Sequence, residues 1–72
     1  MDVRKTGRFI AEKRKEKNMS QKELAEHLHI TDKAVSKWER GLAFPDITIL
    51  IPLSEVLNVS LYDLLTGGSS NE

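Results

Sequence analysis

No cysteine occurs in this chain of 72 residues, so neither a disulfide framework nor a cysteine-zinc site can hold it together. No apolar run approaches the roughly 20 residues of a membrane span, and the first residues lack the apolar stretch of a secretory signal. No phosphate-cradling glycine loop, paired carboxylates or nucleophile–base arrangement is visible, so neither catalysis nor a cofactor is expected. What remains is one domain, expected to be soluble and cytoplasmic, near the size below which a core needs staples. Bases are missing from the second half. All 11 Lys and Arg lie in residues 1–42 beside seven acids, a net of +4, whereas residues 43–72 hold four acids and no base, a net of −4. The overall charge of zero therefore hides a basic half suited to phosphate and an acidic half suited to something else.

The residues present read as five helices and no strands. The most informative stretch is Ser20 to Gly41, SQKELAEHLHITDKAVSKWERG. Ser20 is a good N-cap and Glu23, three residues on, completes a capping box, with Met19 and Leu24 placed as a hydrophobic staple. Thr31 starts a further helix in the same way, with Ile30 and Val35 as its staple. Leu24, Ala25 and Leu28 share one face of the first of these helices, and Ala34, Val35 and Trp38 share one face of the second. Two short capped helices joined by a turn of about three residues form the geometry in which a small domain presents its second helix to the major groove. An ordinary helical hairpin has the same pattern.

Around this pair, the pattern predicts a helix from about Thr6 to Lys17, with Phe9, Ile10 and the stem of Lys13 or Arg14 toward the core. Asn18 follows as a left-handed C-cap residue. Gly41 ends the third helix. Asp46 caps a fourth that runs to about Leu57, and Ser60 caps a fifth. The domain is expected to occupy residues 1–66, with 67–72 a fraying tail or the start of a linker. The fourth helix carries Pro52, which removes the hydrogen bond to the Thr48 carbonyl and predicts a kink or a late start. Its core stripe reads as Ile47, Leu50, Leu53 and Leu57. Ile49, Ile51 and Val56 lie outside that stripe, so the helix is either buried all round or covers a partner through Ile49 and Pro52.

Arg14, Ser20-Gln21, Leu24-Ala25, Ser36-Lys37-Trp38-Glu39-Arg40-Gly41, Pro45 and the closing Leu57-Asn58-Val59-Ser60-Leu61-x-x-Leu64-Leu65 stand in a fixed order. In this set, from about Gly7 to Leu65, the chain resembles the helix-turn-helix family of phage repressors and Cro proteins, the Xre-type regulators. The resemblance implies a compact all-α, five-helix, lambda-repressor-like domain that binds double-stranded operator DNA as a homodimer, its third helix in the major groove. Carried over position by position, it places Asp32, Lys33, Ser36 and Lys37 against base edges, and Gln21, Thr31 and Arg40 against the DNA backbone. It also implies that Arg14 and Glu39 form a partly buried ion pair linking the first helix to the third. His29 stands where the family has glycine in a left-handed conformation, which predicts a strain of about 1 kcal/mol.

The chemistry of these side chains agrees. Lys33 and Lys37 are four apart on the face opposite Val35 and Trp38, and lysine suits guanine O6 and N7. Asp32 can accept from cytosine N4. Equally, it can be no more than a favourable charge at a helix N-terminus. Trp38 reads as core rather than as a base-stacking platform. His27 and His29 are two apart at a helix end with no third ligand, so no metal is expected. The expected function is a sequence-specific transcriptional regulator, a repressor or the DNA-binding domain of one. The alternative is a protein-interaction module, such as an antitoxin or anti-regulator, working through the fourth helix and the acidic half.

Overall fold

The computed structural model describes residues 2–68, which fold into five helices with no strand among them. These are α1 (Val3–Glu16), α2 (Gln21–Leu28), α3 (Asp32–Glu39), α4 (Ile47–Leu57) and α5 (Leu61–Thr66). No helix among the described residues is long and apolar enough to cross a membrane.

Each start is set by a side-chain cap, which satisfies N–H groups the helix cannot pair internally. Asp2 accepts from the amides of Arg4 and Lys5, so α1 begins three residues before the expected Thr6. Thr6 is instead buried in the helix, and its hydroxyl donates 2.8 Å to the Leu64 carbonyl, tying α1 to α5. Ser20 and Glu23 form the reciprocal capping box of α2, at 3.0 and 2.8 Å. Thr31, Asp46 and Ser60 cap α3, α4 and α5. At the other ends, Asn18, His29 and Asn58 take the left-handed conformation, with φ of 58°, 59° and 57°.

The core gathers Ile10, Leu24, Val35, Leu53, Leu57 and Leu64 at its centre, with Trp38 and Phe9 closing its sides. Helix α3 packs on α1 and α2, while α4 and α5 pack on each other and on α1.

Three expectations are corrected here. Helix α4 starts at Ile47, directly after its Asp46 cap, so Pro52 does not delay it. Its buried stripe is rotated toward Ile49 and Val56, both packed against the core. That rotation leaves Ile47 77% exposed and Ile51 58% exposed on the opposite edge. Ile49 and Pro52 are both half-buried, and neither lines the outward apolar surface. It is a groove of about 490 Å³ lined by Phe44, Pro45, Ile47, Leu50, Ile51, Leu61 and Leu65. Finally, Gly67 and Gly68 belong to the fold rather than to a tail. Gly67 caps α5 in the left-handed conformation, and the Gly68 amide donates 2.8 Å to the Asp63 carbonyl. The remainder of the expected tail, residues 69–72, lies outside the described residues.

Candidate nucleic-acid interface

Helices α2 and α3 are eight residues each and are joined by His29, Ile30 and Thr31. The turn is closed by two hydrogen bonds. Ile30 donates from its amide to the Ala25 carbonyl at 3.0 Å, and His29 donates to that of Glu26 at 3.3 Å. This pairing requires a left-handed residue between the two amides, and His29 supplies it.

With about 100° between successive helical residues, the burial of Val35 and Trp38 dictates which side chains face away. Lys33, Ser36, Lys37 and Arg40 fall on the opposite side, with Asp32 at its edge near the start of the helix. Asp32, Lys33, Lys37 and Arg40 are exposed and Ser36 is half-buried. Neither lysine is committed to an ion pair among the described residues. The Arg40 Nε donates to the Ser36 hydroxyl at 3.1 Å and to its carbonyl at 3.3 Å, so these two outward residues touch. Thr31 is engaged through its cap, its hydroxyl accepting from the Ala34 amide.

Behind this face lies a network that the pattern of the sequence does not reveal. The Arg14 Nε donates 2.7 Å to Glu39 Oε2, and Arg14 Nη2 donates 3.0 Å to Oε1. The pair is two-pronged and largely out of water, with side-chain exposures of 10% and 7%. Arg14 Nη1 reaches the Met19 carbonyl at 2.7 Å, just before the cap of α2. Gln21, the first residue of α2, donates from Nε2 to Glu39 Oε1 at 2.9 Å. The hydrogen bonds that Arg14 donates to Glu39 hold its guanidinium above its ordinary value, against the opposing effect of burial. Arg14, Glu39 and Gln21 thus join α1, the end of α3 and the start of α2. The only sequence signal for the Gln21 contact would have been a three-way register among elements distant in the chain.

A two-helix unit whose second helix is clamped from behind, with uncommitted cations on its free face, has the architecture of a helix-turn-helix domain. Comparison with known proteins agrees: the helix-turn-helix family model matches residues 10–64, and the chain belongs to that family. It is 44% identical over 59 residues to the uncharacterized HTH-type transcriptional regulator YqaE of Bacillus subtilis (strain 168), covering 82% of this chain and 50% of that protein. It is 39% identical over 51 residues to the HTH-type transcriptional activator BcrR of Enterococcus faecalis, covering 71% of this chain and 25% of that one. The chain thus matches half or less of the length of these relatives. Among solved structures, the P22 c2 repressor protein in complex with synthetic operator 9T superimposes with a TM-score of 0.83 at 32% identity, covering 86% of this chain and 94% of that one. The restriction-modification controller protein C.AhdI from Aeromonas hydrophila gives 0.79 at 27% identity, covering 88% of this chain and 91% of that one.

Proposed function

We propose that this chain is a sequence-specific DNA-binding transcriptional regulator, or the DNA-binding domain of one, and that it acts as a repressor. The observation that carries the reading is the outward face of α3. Lys33 and Lys37 stand there unpaired among the described residues, while the opposite face of the same helix is locked into the core by Val35 and Trp38. The likeness to a repressor solved with its operator supports it.

In this reading α3 lies in the major groove. Lys33 and Lys37 donate to guanine O6 and N7, Asp32 accepts from cytosine N4, and Ser36 offers its hydroxyl. Gln21 at the start of α2 and Thr31 at the start of α3 meet phosphates, where helix N-termini favour anions, and Arg40 reaches the backbone beyond.

A net charge of +4 over residues 1–42 neutralises few phosphates, so one copy binds weakly at physiological salt. Two copies on half-sites about 34 Å apart would supply useful affinity and exclude polymerase from the site. The apolar groove of α4 and α5 favours a protein contact as part of the same function, since none of its lining residues lies on α2 or α3.

Selection from a random-sequence duplex pool at two salt concentrations tests this. Enrichment of a short inverted repeat, with retention that falls as salt rises, is the expected result. No enrichment, with wild type and Lys33→Ala retained equally, would overturn it in favour of the interaction module.

A further inference from the structure

The Arg14–Glu39 pair has a third member that structural support alone does not require. Glu39 Oε1 accepts simultaneously from Arg14 Nη2 at 3.0 Å and from Gln21 Nε2 at 2.9 Å. We infer that Glu39 is a positioning residue for DNA, holding the Gln21 amide in the one orientation that aims an N–H at a backbone phosphate. This rests on the reading above, in which Gln21 meets a phosphate.

The argument is one of donors and acceptors. A glutamine amide carries an acceptor oxygen and a two-donor nitrogen of nearly equal size, and a free side chain presents either end to its surroundings. A phosphate oxygen only accepts, so the wrong end of the amide repels it. An ionised carboxylate also only accepts, so the end of Gln21 that meets Glu39 must be the nitrogen. One of its two N–H groups is thereby committed to Glu39 and the other is left for a second acceptor.

Among the described residues, Gln21 Nε2 makes no hydrogen bond other than that to Glu39. The capping box uses the Ser20 hydroxyl and the Glu23 carboxylate on each other's amides, and the Leu24 amide goes to the Ser20 carbonyl. The carboxylate itself cannot swing away, because both its oxygens are held by Arg14, whose third nitrogen is anchored on the Met19 carbonyl. Since Glu39 is the last residue of α3, the same contact sets the offset between the reading helix and the phosphate anchor.

The test is a double-mutant cycle on DNA affinity, using the duplex recovered from the random pool and working well below every variant's melting temperature. Glu39→Gln keeps the shape but can offer either end of its own amide, so it no longer dictates the orientation of Gln21. Gln21→Met keeps the bulk and removes the amide. Glu39→Gln is expected to weaken binding about tenfold in the wild-type background, the scale of a hydrogen bond to a charged group, and less than twofold when Gln21→Met is already present. Equal losses in both backgrounds would reduce Glu39 to a structural role and overturn the proposal while leaving DNA binding intact. Gln21→Met binding as tightly as wild type would remove the phosphate contact itself. Should Glu39→Gln fail to fold, the side-chain amide protons of Gln21 in the wild type decide the matter. Displacement of one of these two proton signals from its free-glutamine position in the free protein, with the other moving on addition of the duplex, is expected; both signals at their free-glutamine positions in the free protein would overturn the proposal.

Discussion

Gly7 on α1 faces the backbone of Trp38 on α3 so closely that a Cβ added to it would stand 2.1 Å from the Trp38 carbonyl oxygen. The contact is backbone on backbone, with no flexible side chain to yield, and it sets how deeply α3 seats against α1. In an exposed helix, Gly→Ala stabilises by about 1 kcal/mol. Here the clash outweighs that gain, and Gly7→Ala is expected to cost about 1–3 kcal/mol net. Thermal unfolding should show a melting temperature lower by roughly 5–15 °C. A rise would mean the two helices separate at no cost.

Glu39→Ala removes the carboxylate but leaves the Arg14 guanidinium largely buried, with the Met19 carbonyl as its remaining partner among the described residues. Breaking one side of a buried pair costs about 3 kcal/mol or more, because the remaining charge is desolvated without compensation. For a domain this small, that is a large part of the total stability. Chemical denaturation should show a large fall in midpoint, and an unchanged midpoint would show that the pair is solvated in solution.

Which of these features the sequence discloses depends on the range of the interaction. The capping box at Ser20 and Glu23, the Thr31 and Ser60 caps and the left-handed Asn18 are decided within a few residues and are legible directly, whereas the left-handed His29 is implied by the family resemblance. The Arg14–Glu39 pair is implied only by the family resemblance, and the Gln21–Glu39 bond joins residues 18 apart and leaves no trace in local spacing. Helix α4 shows the limit most clearly. A helix apolar on nearly every side does not state which apolar side is buried, and the packing of α4 chooses Ile49 and Val56 over Ile47 and Ile51. The start of α1 is set by a residue that the apolar pattern does not mark. The Asp2 carboxylate serves two amides there, while Thr6 is taken by α5.

His29 holds φ of 59° at the turn between α2 and α3. A side chain with a Cβ is strained there by about 1 kcal/mol relative to glycine. Since His29 is exposed, replacing it sacrifices no core contact. His29→Gly is therefore expected to raise the melting temperature by roughly 4–8 °C. Calorimetry checks this directly, and a lower melting temperature would place the backbone outside the left-handed region.

Acid should weaken the domain partly through its helix caps. Hydrogen bonds from the Thr48 hydroxyl and amide hold the Asp46 carboxyl below its ordinary value of 3.8. At Asp2 the amide of Lys5 has the leading effect in the same direction. A carboxyl whose value is lower in the folded state contributes its full stabilisation above the unfolded value. That contribution is lost as pH falls through the folded value. Both caps therefore act fully at neutral pH and fade below about pH 4. Asp46→Asn keeps a capping oxygen but cannot titrate. Melting temperatures at pH 7 and pH 3 should differ less for Asp46→Asn than for wild type. Equal differences would exclude Asp46 from the acid transition.

Lys33 and Lys37 share the outward face of α3, and under the proposed function they should differ from a lysine on α1 in kind rather than in degree. A lysine on a phosphate releases one counterion, so its removal lowers affinity on every sequence and reduces the slope of log affinity against log salt by about 0.9. A lysine bidentate to guanine instead carries discrimination between bases, of about 1–3 kcal/mol. Lys37→Ala is therefore expected to weaken binding to the selected duplex by roughly 10- to 100-fold while barely changing binding to an unrelated duplex. Lys15 lies exposed on α1 and serves as the comparison, because its removal changes charge by the same amount. Titrations of both variants against both duplexes at two salt concentrations separate the cases. If Lys37→Ala and Lys15→Ala lose affinity equally on the two duplexes, α3 holds DNA by charge alone and does not read its sequence.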